Sequence, residues 1–174
     1  IPSGYSVLIA GPSGSGKTVL ATQFIREGAR LGEPGVIAIF EKRPSEYTQT
    51  NAIRLGKAGD TAPVGVIHTR PLDLSIDETL HELKEEIHRL KARRVVIDSL
   101  SGFELALAPT FREDFRESLS NLVTALADAG ATVLMTSGPN CLAMVTMRSR
   151  VGASGERPDS MMRPLTAVTV SLAY

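Results

Sequence analysis

The chain has 174 residues, of which 43% are hydrophobic and 22% charged, a balance that suits one globular domain with a core of its own. Lys+Arg and Asp+Glu number 19 each, so a net charge of zero offers no bulk attraction to nucleic acid or to an anionic membrane. The single cysteine, Cys141, excludes an internal disulfide and a cysteine zinc cluster, and no apolar run approaches the roughly 20 residues of a membrane-spanning helix.

Short apolar runs alternate with amphipathic helical stretches, the pattern of an α/β fold with a mainly parallel sheet and flanking helices. The first run, YSVLIA at 5–10, predicts a buried strand. It leads into GPSGSGKT at 11–18, where Gly11, Gly16, Lys17 and Thr18 satisfy the pattern of a phosphate-binding loop. In TVLATQFIREGARLG, which follows, Val19, Leu20, Phe24, Ile25 and Leu31 fall at helical spacing, giving the strand–loop–helix context the motif requires. Gly14 lets the loop turn with positive φ, so that backbone N–H groups and the helix N-terminus face an anion. The candidate nucleotide contacts are therefore Gly11, Ser13, Gly14, Ser15, Gly16, Lys17, Thr18 and Val19. Lys17 has the reach for the terminal phosphates, and the Thr18 hydroxyl is a candidate ligand for Mg²⁺.

GVIAIFE at 35–41 predicts a second strand, ending in Glu41. A carboxylate at the carboxyl end of a parallel strand is placed to deprotonate a water beside a bound phosphate. A solvated glutamate paired with Lys42 or Arg43 fits the spacing equally, and both readings stay open at this point. A short helix is expected from Ser45 to about Leu55, then a strand VGVIHT at 64–69. SIDE at 75–78 is a capping box, opening a helix with Ile76, Leu80, Leu83, Ile87 and Leu90 on one face. Its run ELKEEIHRLKARR reads as a solvated face with i,i+4 charge pairs. RVVIDS at 94–99 ends in Asp98, the Walker B position, where a carboxylate helps hold Mg²⁺ directly or through water; the plain alternative is an aspartate capping a turn. Ser99, not glutamate, follows it. TFRE at 110–113 is a second capping box, before a helix with Phe115, Leu119, Leu122, Val123 and Leu126 inward and Gly130 at its end. ATVLMTS at 131–137 predicts a fifth core strand. CLAMVTM and LTAVTVSLAY suggest two C-terminal, antiparallel strands around a loop rich in Gly, Pro, Ser and Arg. His68, His81 and His88 have no metal-like spacing, LSGF at 100–103 lies on the wrong side of Asp98 for a transporter signature, and no N-K-x-D suggests a Ras-like GTPase.

Taken together, GPSGSGKT, the stretch from LATQFIREG to IFEKRPSEYTQTNA, VVIDSLS and VLMTS resemble a RecA-like P-loop ATPase domain of the KaiC circadian-clock family, related to RadA and DnaB, over roughly residues 4–137. The resemblance implies an ATPase that binds Mg-ATP between subunits of a homo-hexamer and hydrolyses it slowly as a signalling or timing module, with signalling proteins as further partners. It implies Glu41 as the catalytic base; the family carries a glutamate pair here, and Lys42 replaces the second member. Thr136 and Ser137 fall where the fold places a polar group that senses the γ-phosphate. It also implies a basic pair supplied by a neighbouring subunit: Arg148 matches the arginine, Thr146 stands for the lysine, and Arg150 is an alternative. No Ser–Thr pair matches the family's self-phosphorylation site. A RadA-like DNA recombination or repair ATPase and a non-hydrolysing nucleotide switch are the alternatives; neutral charge speaks against the first and Lys42 favours the second. The expected compartment is the reducing cytoplasm, with neither nucleic acid nor a membrane as partner. Residues 1–174 read as a single domain, expected to belong to a longer chain because it opens at Ile1 without methionine.

Overall fold

The computed structural model describes residues 1–40, 61–68, 76–101, 112–128 and 130–139. Among these, five strands form one parallel sheet: β1 (Ser6–Ala10), β2 (Gly35–Ile39), β3 (Val64–His68), β4 (Arg94–Asp98) and β5 (Thr132–Ser137), in the spatial order β1-β5-β4-β2-β3. Three helices cover it: α1 (Lys17–Arg30), α2 (Ile76–Leu90) and α3 (Arg112–Asp128). All five expected strands are present, each within the apolar run that predicted it. The helix expected at 45–55 and the two C-terminal strands lie outside the described residues.

The strands are nearly continuous in hydrophobicity because both faces of the sheet are covered. Alternate residues divide into two cores. Leu8, Val36, Ala38, Val95, Ile97, Val133 and Met135 meet Leu83 and Ile87 of α2 and Leu119, Leu122, Val123 and Leu126 of α3. Ile9, Ile37, Ile39, Val96 and Leu134 meet Ala21 and Ile25 of α1 on the other face. The inward residues expected of α2 and α3 are thus buried wherever their side chains are described, except Leu90, which is half-buried against the same core. The charged run of α2 contains one described ion pair, Glu86–Arg89, spaced i,i+3 rather than i,i+4. All three helices end alike. Gly32, Lys91 and Gly130 take positive φ, and the next residue donates its N–H to the carbonyl five residues back, from Glu33 to Gly28, Ala92 to Ile87 and Ala131 to Leu126. These are Schellman closures, which satisfy terminal helix carbonyls internally.

Helix α1 differs from the sequence reading. Its buried stripe is Ala21, Thr22, Ile25, Gly28 and Ala29, whereas Val19 is 50% and Leu20 41% exposed. The cause is close packing on small residues. The Arg94 side chain, at the start of β4, crosses Gly28: a Cβ there would lie 2.5 Å from Arg94 Cδ. Arg94 has little freedom to withdraw. Its Nε donates to Glu33 at 2.6 Å, an Nη donates to the Phe24 carbonyl at 2.7 Å, and its guanidinium lies 4.8 Å from the centre of the Phe24 ring. Overpacking a site fixed in this way typically costs about 1–3 kcal/mol. Gly28→Ala is therefore expected to lower the urea unfolding midpoint by that equivalent. Adding Arg94→Ala should cost less than the sum of the two single changes, because the clash and the clamp share one side chain.

Candidate functional site

The carboxyl ends of the strands form one edge, and the predicted motifs gather there. β1 runs out at Ala10, and residues 11–16 bridge to the first residue of α1. Gly14 and Gly16 both have positive φ, 83° and 86°, so the second glycine is as necessary to the turn as the first. Gly16 is the N-cap residue of α1, no side chain caps that end, and no acidic residue occupies the first turn. A Cβ built on Gly14 or Gly16 would meet nothing within 4 Å. An uncapped helix N-terminus facing open space, with its N–H groups and partial positive charge, fits a phosphate.

Lys17 is folded over this loop. Its ammonium donates to the carbonyl oxygens of Gly11 at 2.9 Å and Pro12 at 2.7 Å, and lies 3.4 Å from the Ser15 hydroxyl. The cation is thus held beside the helix N-terminus by neutral acceptors, with no carboxylate among its described partners. Thr18 is half-buried, and its carbonyl accepts from Thr22 Oγ1 at 2.7 Å, which fixes the first turn. Ser13 and Val19 flank the loop on its exposed side, and Ser15 is buried beneath it.

Strand β5 stands between the phosphate loop and the strand that ends in Asp98. Two strand spacings therefore separate β1 from β4, about 10 Å. Asp98 shares the face of Val96, the α1 face, and is 8% exposed. Its carboxylate accepts a short hydrogen bond from the hydroxyl of Thr136, itself wholly buried on β5. Sequence reasoning placed Thr136 near the phosphate but missed this pairing, which only the strand order reveals. The loop is also tied to β5: the Gly11 N–H donates to the Ser137 carbonyl at 3.2 Å. Ser101, just beyond β4, accepts from the Gly138 N–H at 2.7 Å and lies 3.4 Å from the Ser137 hydroxyl. Backbone and hydroxyls thus fasten the tips of β1, β5 and β4 to one another.

On the far side of β4, Ile39 of β2 is in register with Asp98, and the Phe40 N–H donates to the Asp98 carbonyl at 3.1 Å. Phe40 precedes Glu41, which lies outside the described residues with Lys42, Thr146, Arg148 and Arg150. Among the described residues no group of three or more His, Cys, Asp or Glu side chains is placed to hold a metal ion, and His81 and His88 are exposed. A hydroxyl from Thr18 and a carboxylate from Asp98 nevertheless match the sparse oxygen set with which Mg²⁺ is held beside substrate phosphates. No helix among the described residues is long and apolar enough to cross a membrane.

A phosphate loop between β1 and α1, an acid-ended strand one place beyond its neighbour, and helices on both faces of a parallel sheet define a RecA-like P-loop NTPase domain. The chain belongs to the KaiC ATPase family: the family profile described as "ATPase: KaiC" matches residues 1–151. It is 32% identical to the circadian clock oscillator protein KaiC of Prochlorococcus marinus strain MIT 9313 over 79% of this chain and 30% of that protein. It is 29% identical to the circadian clock protein KaiC3 of Synechocystis sp. over 79% of this chain and 29% of that protein. The chain thus spans less than a third of the length of these relatives. Among solved structures, a KaiC-like protein of the hyperthermophilic archaeon Pyrococcus horikoshii OT3 superposes with a TM-score of 0.64 at 30% identity, over 79% of this chain and 62% of that one.

The Thr136–Asp98 contact is open to a direct test. Valine at 136 keeps the volume but leaves a buried carboxylate oxygen without its donor, a loss worth about 1–3 kcal/mol. Thr136→Val should lower the urea midpoint by that equivalent, and Thr136→Ser should recover most of it. An unchanged midpoint in the valine variant would show that Asp98 does not depend on the hydroxyl.

Proposed function

We propose that this domain binds Mg-ATP at the loop 11–18 and hydrolyses it slowly, as a timing or signalling module of the KaiC kind. The observation that carries the reading is the uncapped N-terminus of α1 behind two left-handed glycines, with Lys17 poised over it. In this reading the backbone amides of 11–18 and the Lys17 ammonium bind the β- and γ-phosphates. Thr18 and Asp98 hold Mg²⁺, and Thr136 keeps the Asp98 carboxylate aimed. The ion, when bound, neutralises charge on the phosphate oxygens. Glu41 orients a water and takes its proton as the water oxygen attacks the γ-phosphorus and the bond to the bridging oxygen breaks. The run of β2 past Asp98 as far as Phe40 supports this role, since Glu41 is the next residue.

Val19 and Leu20 support a site shared between subunits, because large apolar side chains stand exposed directly beside the loop. A homo-hexamer in the cytoplasm would cover them and bring Arg148 of a neighbour to the γ-phosphate. A cation supplied in this way raises turnover by about 10³-fold or more.

Turnover and nucleotide binding, measured on the full-length protein, test the assignment. Lys17→Ala should weaken ATP binding at least about tenfold, the loss of one charge-assisted contact. Glu41→Gln should bind ATP as the parent does and stall in hydrolysis. Equal, slow turnover in the parent and Glu41→Gln would remove Glu41 as the base and make the nucleotide a switch ligand, the outcome that Lys42 in place of a second glutamate would favour.

A further inference from the structure

At the opposite edge of the sheet, where the strands begin and the helices end, a pocket of about 620 Å³ opens between α2 and α3. Its floor is apolar, with Ile87 and Leu126, and its rim carries the cations Lys84, Lys91 and Arg93 together with His88. Lys84 and His88, spaced i and i+4, stand on one face of α2, and Lys91 and Arg93 follow just past its end, toward β4. No carboxylate lines the pocket among the side chains that the structure describes, and none of Lys84, His88, Lys91 and Arg93 takes part in a described ion pair.

We infer that this pocket is a second ligand site, for a small soluble organic phosphate whose phosphate meets the cationic rim and whose apolar body lies on Ile87 and Leu126. Basic residues near a helix C-terminus ordinarily complement the dipole and cap the last carbonyls. That explanation is insufficient here. The α2 and α3 ends are already closed by backbone bonds, from Ala92 to Ile87, Lys91 to His88 and Ala131 to Leu126. Lys84 also lies well inside the helix, and Arg93 lies beyond it. Lys91 itself sits at φ 52°, the left-handed position that Gly32 and Gly130 fill in the other two helices. Glycine avoids the steric cost of that conformation, so the lysine is held there against local preference. The walls are fixed. The Arg93 N–H donates to the Pro34 carbonyl at 2.8 Å, and its carbonyl accepts from Thr132 at 2.8 Å. The volume lies in the range of small-molecule sites, and a cleft lined by one sign of charge concentrates counter-ions. The five residues of β4 separate it from Asp98, roughly 16 Å at strand rise, so a ligand here is distinct from one at the phosphate loop.

The probe is 1-naphthyl phosphate, titrated into the full-length protein with Mg-ADP in excess and read by fluorescence anisotropy. Saturable binding of one probe per chain is expected, weaker at high salt, retained in Lys17→Ala, and weakened at least about tenfold in the Lys84→Glu/Lys91→Glu pair. If that pair does not fold, Lys84→Gln and Lys91→Gln should each weaken binding several-fold. No saturable binding, binding unchanged by these variants, or binding lost in Lys17→Ala would overturn the site. Sedimentation with phosphatidylcholine vesicles containing phosphatidate should leave the protein in the supernatant. Pelleting that the double variant abolishes would overturn the soluble source in favour of a lipid headgroup.

Discussion

Because the five described strands all run parallel, every loop that leaves a strand leaves it at the same edge. Register then sets what meets what. Ala10 lies beside Ser137, Ile97 beside Met135 and Ile39 beside Asp98, so the tips of β1, β5, β4 and β2 stand in a row. The crossover helices run back against the strands, which turns their N-termini toward that edge and their C-termini toward the other. Strand direction thus concentrates backbone N–H donors and partial positive charge where a phosphate would bind. Among the described residues, pairing of the sheet alone brings the parts of the site together.

Helix α1 is held at both ends by different means. At its N-terminus it grows out of the glycine turn tied to β5 through Gly11 and Ser137. Toward its C-terminus it is clamped by Arg94, which bonds Glu33 and the Phe24 carbonyl while passing over Gly28. Arg94 opens β4 and Asp98 closes it, so the residue that seats the helix and the acid at the site edge belong to one rigid strand. The spacing between phosphate loop and acid is therefore a property of the packed unit. The two exposed ion pairs, Glu27–Arg30 and Glu86–Arg89, contribute little beside this; exposed pairs are worth about 0–1 kcal/mol. Arg94 contributes chiefly by its shape and its bonds to groups that cannot move away.

The strands and the phosphate loop were legible because their signals are local: continuous apolar runs for strands buried on both faces, and a fixed glycine–lysine spacing for the loop. The face of α1 was not. Val19 and Leu20 look like core residues by periodicity, yet the helix approaches the sheet on Ala21, Gly28 and Ala29. Small residues give weak hydrophobic signals, and their selection here follows from an arginine 66 positions after Gly28 in the chain. The Thr136–Asp98 bond was hidden for the same reason, spanning 38 residues and depending on β5 inserting between β1 and β4. The charged run of α2 was legible only in part. A solvated face describes Lys84, His88, Arg89 and Lys91, all exposed, but periodicity did not show that Lys84, His88 and Lys91 border a pocket or that Glu86 is half-buried.

A net charge of zero conceals how the charges are placed. Lys17 bonds only neutral acceptors among the described residues at one edge of the sheet, and four basic side chains gather at the other with no carboxylate among the described lining side chains. Exposed charges farther apart than about 8–10 Å are largely screened at ordinary salt. Two concave regions at opposite ends of β4 therefore act on anions independently, however well the total balances. Whole-chain neutrality argues against a long polyanion wrapping the surface, since such binding needs an extended basic track. It says little about a compact anion in a pocket, where attraction depends on the few groups in contact and on low-dielectric walls behind them. The helix ends sharpen the distinction. The N-terminus of α1 at the phosphate-loop edge offers uncapped N–H groups, while the closed C-termini of α2 and α3 offer side chains only. An anion at the first is held mainly by backbone, and at the second mainly by lysine and arginine, so charge-reversing substitutions should discriminate the two ends where substitutions of neutral residues would not.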